Sequence, residues 1–319
     1  MDNLTHSLVG ALLGQAGLKR RTGLAMPALI VGANLPDIDA ACLVWLDGVE
    51  HLGFRRGITH GPPALVLLPL ILAGALWAWD RGQTARGSRP ETRHPVRFGW
   101  LFALAFLACL THPALDWLNV YGIRLLEPFS SRWFYGDTLF IVDEWLWLGM
   151  GLATCLSLRR ERRGGAWRTP ARAALAGTVA FIALNGAISY VAREQARLLE
   201  PYPEVVIASP PPVAFWRREI IAGLPGGRFV STAWDGPLAG YGYRLARGEQ
   251  CAWPRDRSAL TDRRAVRSFL LWARTPFLER AADGSAILRD ARFYDPLTRG
   301  RFSVALPDVP CRPLRRWPG

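Results

Sequence analysis

Three of the five histidines in this 319-residue chain directly follow a threonine: Thr5-His6, Thr59-His60 and Thr111-His112. Each pair lies at the edge of an apolar run, and acids accompany the runs at Asp2, Asp37, Asp39, Asp116 and Asp143. Imidazole and carboxylate groups at membrane depth are costly unless paired, metal-bound or in a wet cavity. The pattern reads as a His/Asp metal site built into a membrane protein.

The separate motifs differ in what they imply. His112 and Asp116 form His-x-x-x-Asp, and residues i and i+4 share a helix face, so both can reach one ion. Pro113 disfavours helical geometry at His112 and predicts a kink or a fresh helix start there. Taken alone, this pair fits a buried ion pair as well as two ligands. Pro36-Asp37-Ile38-Asp39 places two carboxylates inside an apolar segment, which calls for more than helix capping; such groups hold a metal or orient a ligand histidine. In Arg56-Gly57-Ile58-Thr59-His60, His60 opens the next apolar run as a ligand while Arg55 and Arg56 are suited to an anion. Of Asp143 and Glu144, which point apart on a helix, Asp143 is assigned to the centre, and Asp137 is read as solvated. The threonine hydroxyls fit helix caps or groups behind the ligands rather than nucleophiles. His51 and His94 read as surface residues.

The elements that must position these groups are apolar runs at Ala64–Trp79, Phe98–Leu118, Leu139–Leu158 and Ala171–Ala192. Two shorter runs lie at Leu4–Gly17 and Leu24–Leu46, the latter broken at Asn34-Leu35-Pro36-Asp37. Several fall short of the roughly 20 residues of a spanning helix, so tilted, re-entrant or cavity-ended segments are expected. The net charge is +13 and almost wholly arginine. Basicity of this kind also marks nucleic-acid binders, but here the arginines fill loops between apolar runs, so no nucleic-acid partner is expected. The loops at Lys19–Arg21, Arg81–Arg97 and Arg159–Arg172 are therefore assigned to the cytoplasm. Six crossings threaded on that rule bring His6, Asp37, Asp39, His60, His112, Asp116, Asp137 and Asp143 to the opposite, outer end. No signal peptide is evident at the N-terminus.

Residues 196–319 hold short β-prone stretches between Pro/Gly turns: Glu204–Ile207, Ala214–Ile221, Arg228–Thr232, Ser268–Trp272, Ala286–Leu288, Arg292–Tyr294 and Phe302–Leu306. They predict a small antiparallel β domain. Its two cysteines, Cys251 and Cys311, would be free to pair in an oxidising compartment, which spacing alone leaves open. The five cysteines show no CxxC spacing, against a cysteine zinc site.

The order of motifs, Thr5-His6, then Leu-Pro-Asp-Ile-Asp at 35–39, Arg-Gly-Ile-Thr-His at 56–60, Thr-His-Pro-Ala-Leu-Asp at 111–116, Tyr-Gly-Ile-Arg-Leu-Leu-Glu-Pro-Phe-Ser at 121–130 and Asp-Thr-Leu-Phe-Ile-Val-Asp at 137–143, resembles the membrane-bound metal-dependent hydrolases of the YdjM/YfhP type. The resemblance covers roughly residues 1–195. It implies an α-helical membrane core and a divalent-metal hydrolase site at His6, Asp37, Asp39, His60, His112, Asp116 and Asp143, with no substrate specified. One departure is Arg55, where the family pattern has a histidine.

The reading is thus an all-α polytopic membrane domain of about six hydrophobic helices over 1–195, followed by a β-rich domain over 196–319, both the site and the β domain facing outward from a bacterial-type inner membrane. The mixed donors suit Zn, Mn or Fe. A metal-activated water attacks an ester or phosphoester, with Asp39 or Asp143 taking the proton and Arg55 and Arg56 holding an anionic lipid or lipid-linked headgroup. A non-enzymatic alternative stands beside it: a divalent-metal carrier, or a structural or regulatory metal-binding membrane protein. Carriers usually place such groups near the midplane, whereas here they gather toward one end.

Overall fold

The computed structural model describes residues 1–199, 203–238, 241–246 and 248–314. The chain divides into two compact units, one of residues 1–39 and 56–186, the other of residues 40–55 and 187–319.

The first unit is helical. Asp2 caps α1 (Asn3–Gln15) by accepting from the Leu4 and Thr5 N–H groups, which begins the chain's first helix at the first Thr-His pair. Next come α2 (Ala25–Gly32), the short α3 (His51–Phe54, in the second unit), α4 (Pro62–Ala85), α5 (Phe98–Trp117), α6 (Glu144–Arg162) and α7 (Arg168–Leu199). Small residues let these helices approach. A Cβ on Gly32 would lie 2.9 Å from the Ala105 carbonyl oxygen, and Ala28, Ala33, Ala105 and Ala108 are buried in the same cluster. Close backbone approach of this kind is how helices associate where lipid removes the hydrophobic drive.

The expected count of about six hydrophobic helices is not confirmed. Among the described residues three helices, α4, α5 and α7, are long and apolar enough to cross a membrane, and four if α2 and the following 3-10 segment Leu35–Val44 make one bent span. Helix α1 has 13 residues, a length of about 20 Å against a hydrocarbon core of about 30 Å. Helix α6 is shortened as an apolar element by Glu144 at one end and Arg159, Arg160, Glu161 and Arg162 at the other.

The second unit is built mainly of antiparallel sheet, as expected. One sheet runs in the order β1 (Val205–Ser209), β2 (Arg218–Leu224), β3 (Arg228–Trp234), β4 (Tyr241–Ala246), and Ala192 and Ala196 of α7 pack with Val206, Ala208, Ile220 and Trp234 of that sheet. The other takes the order β5 (Gln250–Cys251), β6 (Pro276–Arg280), β7 (Ser285–Asp290), β8 (Ser303–Pro310), with α8 (Ser258–Thr261) and α9 (Arg264–Trp272) between β5 and β6. Cys251 and Cys311 are disulfide-bonded. Two expectations fail here. Ser268–Trp272 is the end of α9, because Val266, Phe269 and Trp272 recur at helical spacing and are all buried. Residues 291–293 form a 3-10 turn, started by Asp290.

Asp290 anchors this unit. Arg292 grips it with Nε and Nη2 at 2.9 and 3.0 Å, and Thr275 Oγ1 donates at 2.9 Å. Burial alone would raise the Asp290 carboxyl, but Arg292 and these hydrogen bonds outweigh it and hold it below the usual carboxylate range. The sign follows: stabilisation is complete above the ordinary carboxylate value of about 3.9 and is lost as the pH falls through the lower folded value. Asp290→Asn leaves Arg292 buried without its carboxylate and is expected to cost about 3 kcal/mol at neutral pH. Thermal unfolding followed between pH 3 and 7 checks both statements: the variant's deficit should shrink as the wild type is acidified.

Candidate metal centre

Four side chains from three segments of the first unit converge. One ligand atom each from Asp37, His60, His112 and Asp116 lie within 4.8 Å of one another, and the three last-named residues are fully buried. The centre of the group is Asp116. His112 Nε2 lies 3.5 Å and His60 Nε2 3.6 Å from its Oδ2, His6 Nε2 lies 3.4 Å from its Oδ1, and Asp37 Oδ1 is 3.8 Å from His112 Nε2. These spacings are longer than ordinary N–H···O hydrogen bonds. They match the edge of a coordination polyhedron: four ligands at about 2.1 Å around a tetrahedral ion sit about 3.4 Å apart. The residues therefore fit a divalent cation.

Local structure explains the aim of each imidazole. Helix α5 runs unbroken through Pro113, so His112 and Asp116 do share a face and the predicted fresh start is absent. His112 Nδ1 is 2.8 Å from the Ala33 carbonyl at the end of α2; a carbonyl can only accept, so the proton is on Nδ1 and the Nε2 lone pair faces the cluster. At His60 a relay does the same. The Thr59 hydroxyl donates to Asp39 Oδ2 at 3.2 Å and stands 2.9 Å from His60 Nδ1, so with its own proton engaged it accepts from that nitrogen. Asp39 thus sits behind His60 and orients it. His6 stacks on His112 with ring centroids 3.8 Å apart and has both nitrogens buried.

Arg56 is bound into the cluster. Its Nη2 donates to Asp116 Oδ1 at 3.2 Å, its Nε lies 3.0 Å from Oδ2 as an ion-pair contact, and Nη1 donates to Asn119 Oδ1 and the Gly122 carbonyl at 3.1 and 3.2 Å. Its backbone has φ 53°, in the left-handed region a branched-out side chain adopts at a cost of about 1 kcal/mol. That turn lets the Arg56 N–H donate to Asp39 Oδ2 at 2.7 Å while the guanidinium reaches Asp116. The Met1 amino nitrogen also pairs with Asp116.

Other expected groups are placed elsewhere. Asp143 is the N-cap of α6, accepting from the Leu146 N–H at 3.0 Å, and is not part of the four-residue cluster found among the described residues. Arg55 belongs to the second unit. Asp137, read as solvated, is buried at 1 % exposure, because the chain there packs back on α5: a Cβ on Gly136 would lie 2.7 Å from the Trp117 carbonyl oxygen, and the Thr138 N–H donates to the Leu118 carbonyl. His51 and His94 are not in the cluster found among the described residues. Asn119 was not singled out by sequence; following Trp-Leu at a helix end, it carries the signature of an ordinary helix-terminating residue.

Fold and site together define a polytopic helical membrane protein with a buried His/Asp cluster fit for a divalent cation. The chain belongs to the YdjM inner membrane protein family, whose pattern it matches over residues 1–196. It is also similar to YfhP of Bacillus subtilis strain 168, an uncharacterized protein, with 30% identity over 141 residues; the match covers 42% of this chain and 39% of that relative. No solved structure matches it.

Proposed function

We propose that the protein is a membrane-bound metal-dependent hydrolase acting on an ester or phosphoester. The observation that carries this is the set of three imidazole nitrogens spaced at 3.4–3.6 Å around one carboxylate, two of them with tautomers fixed from behind. His60, His112, Asp37 and Asp116 hold the metal, with His6 as a further nitrogen donor, and the mixed set suits Zn, Mn or Fe. Bound there, a divalent cation supplies Lewis acidity and lowers the pKa of water. The water oxygen bonds to the ester carbon or phosphorus, the bond to the leaving alcohol oxygen breaks, and one water proton ends on that oxygen. Asp37, the cluster carboxylate that keeps some exposure, carries the second water proton outward; Asp39 positions His60, and Arg56 holds Asp116 rather than the headgroup. Asp143 is assigned to α6.

The orientation finds support within the first unit. Helices α1, α4 and α5 each have the cluster near one end and a basic loop at the other. Arg21, Arg81 and Arg93 lie over Trp100, Trp77 and Trp79 at 4.8–5.0 Å, and Lys19 over Trp167 at 4.5 Å. An arginine-and-tryptophan belt of this kind suits the cytoplasmic interface, which supports a cluster toward the outer leaflet and, with it, a lipid or lipid-linked substrate. The Cys251–Cys311 disulfide supports an outward second unit. A position at the ends of helices, rather than halfway along them, favours a hydrolytic site over a carrier.

Elemental analysis of purified protein beside His60→Ala and His112→Ala tests the reading. We expect near-stoichiometric divalent metal in the wild type and a loss of most of it in each variant; full retention in both sinks the site.

A further inference from the structure

Two buried donors, one of them next to the cluster, have no acceptor among the described residues. Asn119 is fully buried just beyond Asp116. Its Oδ1 accepts from Arg56 Nη1 at 3.1 Å and from the Tyr121 and Gly122 N–H groups at 2.9 and 3.3 Å. Three donors on one atom fix which end of the amide is oxygen, so Nδ2 cannot trade places with it. That Nδ2 is buried without an acceptor among the described residues, and Trp133 Nε1 is in the same position. The two belong to one layer. Arg56 lies over the Tyr121 ring at 4.6 Å, Tyr121 meets Trp133 edge-on at 6.3 Å, and Arg124 covers the Trp133 face at 5.3 Å.

Buried N–H groups are almost always satisfied, and one that the chain itself leaves over marks a place for an outside acceptor. The guanidinium groups of Arg56 and Arg124 lie in the same layer and are already paired with Asp116 and Glu127, at 3.0 and 2.9 Å. The two leftover neutral donors are what an incoming oxygen ligand meets there.

We propose that Asn119 Nδ2 and Trp133 Nε1 form an oxyanion site beside the metal cluster that binds the non-bridging oxygens of a phosphoester. The proposal rests on the metal-hydrolase reading and narrows its substrate. A planar carboxylic ester offers one carbonyl oxygen, which the metal side would take. A phosphoryl group offers several, tetrahedrally arranged, so that one can face the metal while others reach the two donors.

Two near-isosteric variants test it in the full-length protein in detergent. Trp133→Phe keeps the ring and deletes the donor; Asn119→Asp keeps Oδ1 and replaces the donor with an acceptor. Inorganic phosphate binding by calorimetry and metal content are measured on the same samples. We expect phosphate affinity to fall about tenfold in Trp133→Phe and at least as far in Asn119→Asp, with metal content unchanged in Trp133→Phe. Should Asn119→Asp fail to fold, Trp133→Phe carries the comparison. Wild-type phosphate affinity in the folded variants overturns the oxyanion site. Absence of metal from wild-type protein overturns the hydrolase reading instead, and is read independently of the phosphate data. Competition by vesicles of phosphatidylcholine containing phosphatidic acid separates the sources: displacement of phosphate assigns a lipid headgroup, and its absence a soluble phosphoester.

Discussion

Asp116→Ala is expected to reduce bound divalent metal to background and to lower stability by about 3–5 kcal/mol. Both effects come from one side chain. Its two oxygens face three imidazole nitrogens at 3.4–3.6 Å and the Arg56 guanidinium at 3.0 and 3.2 Å, with no exposed surface. Deleting the carboxylate removes the donor shared by the cluster and leaves a guanidinium buried without its countercharge. The two losses can be separated. Removing the pair together, as Arg56→Met with Asp116→Leu, eliminates the stranded charge and is expected to recover most of the stability with no metal bound. Chelator adds a third measurement: metal bound at about 100 times its dissociation constant stabilises by about 2.7 kcal/mol, so chelation should lower the wild-type melting temperature and leave Asp116→Ala unmoved. An Asp116→Ala protein with full metal content would show that the carboxylate serves the arginine alone.

What was legible in the sequence was the chemistry that repeats in the same form wherever it occurs. Thr59-His60 and Thr111-His112, together with Asp37 and Asp116, stood out because buried imidazoles and acids are expensive, and the structure brings His60, His112, Asp37 and Asp116 within one ion's reach. What was not legible depends on partners distant in the chain. Arg56 looked like a group for an anionic substrate until its guanidinium met Asp116, 60 residues away. Asp143 could not be told from a ligand, since an acid before an apolar helical run carries the same signature whether it caps the helix or holds a metal. A threonine before a histidine fits a cap or a support equally well in sequence, and the structure divides the two: Thr5 bonds to the cap Asp2 at 2.6 Å, whereas Thr59 links Asp39 to His60.

The fold was legible to a similar depth. Helices first and antiparallel sheet after followed from hydrophobic period and turn residues. The number of spans did not, because apolar run length counts α1 and α6 as crossings while their ends carry the limits. Ser268–Trp272 reads as a strand in isolation because a short window of Phe, Leu and Trp suits one; the period that makes it helical needs Val266 as well.

Gly61→Ala is expected to damage the site as severely as loss of a ligand, although glycine contributes no chemistry. Gly61 follows His60 and ends the 3-10 turn that carries it, with φ of −84°, so backbone conformation does not demand glycine. Space does. A Cβ there would sit 1.8 Å from the Glu127 carbonyl oxygen and 2.8 Å from its carbon, both backbone atoms that cannot rotate aside. Either His60 shifts away from Asp116 or the 122–135 segment lifts from the site. That segment is tied down by the Arg124 N–H on the Arg56 carbonyl and by the paired Ile123 and Phe134. Overpacking costs typically about 1–3 kcal/mol, and a displaced His60 costs metal affinity besides; a loss of at least tenfold is expected by titration. Gly74→Ala in α4 is the matched control. Nothing lies within 4 Å of its new methyl group, and replacing a helical glycine by alanine stabilises by about 0.5–1 kcal/mol, so metal binding should be untouched and the melting temperature should rise. Opposite signs for the same substitution at these two glycines would tie the Gly61 effect to contact with the 122–135 segment rather than to a general intolerance of added bulk; equal, small effects would mean that this segment does not close on His60.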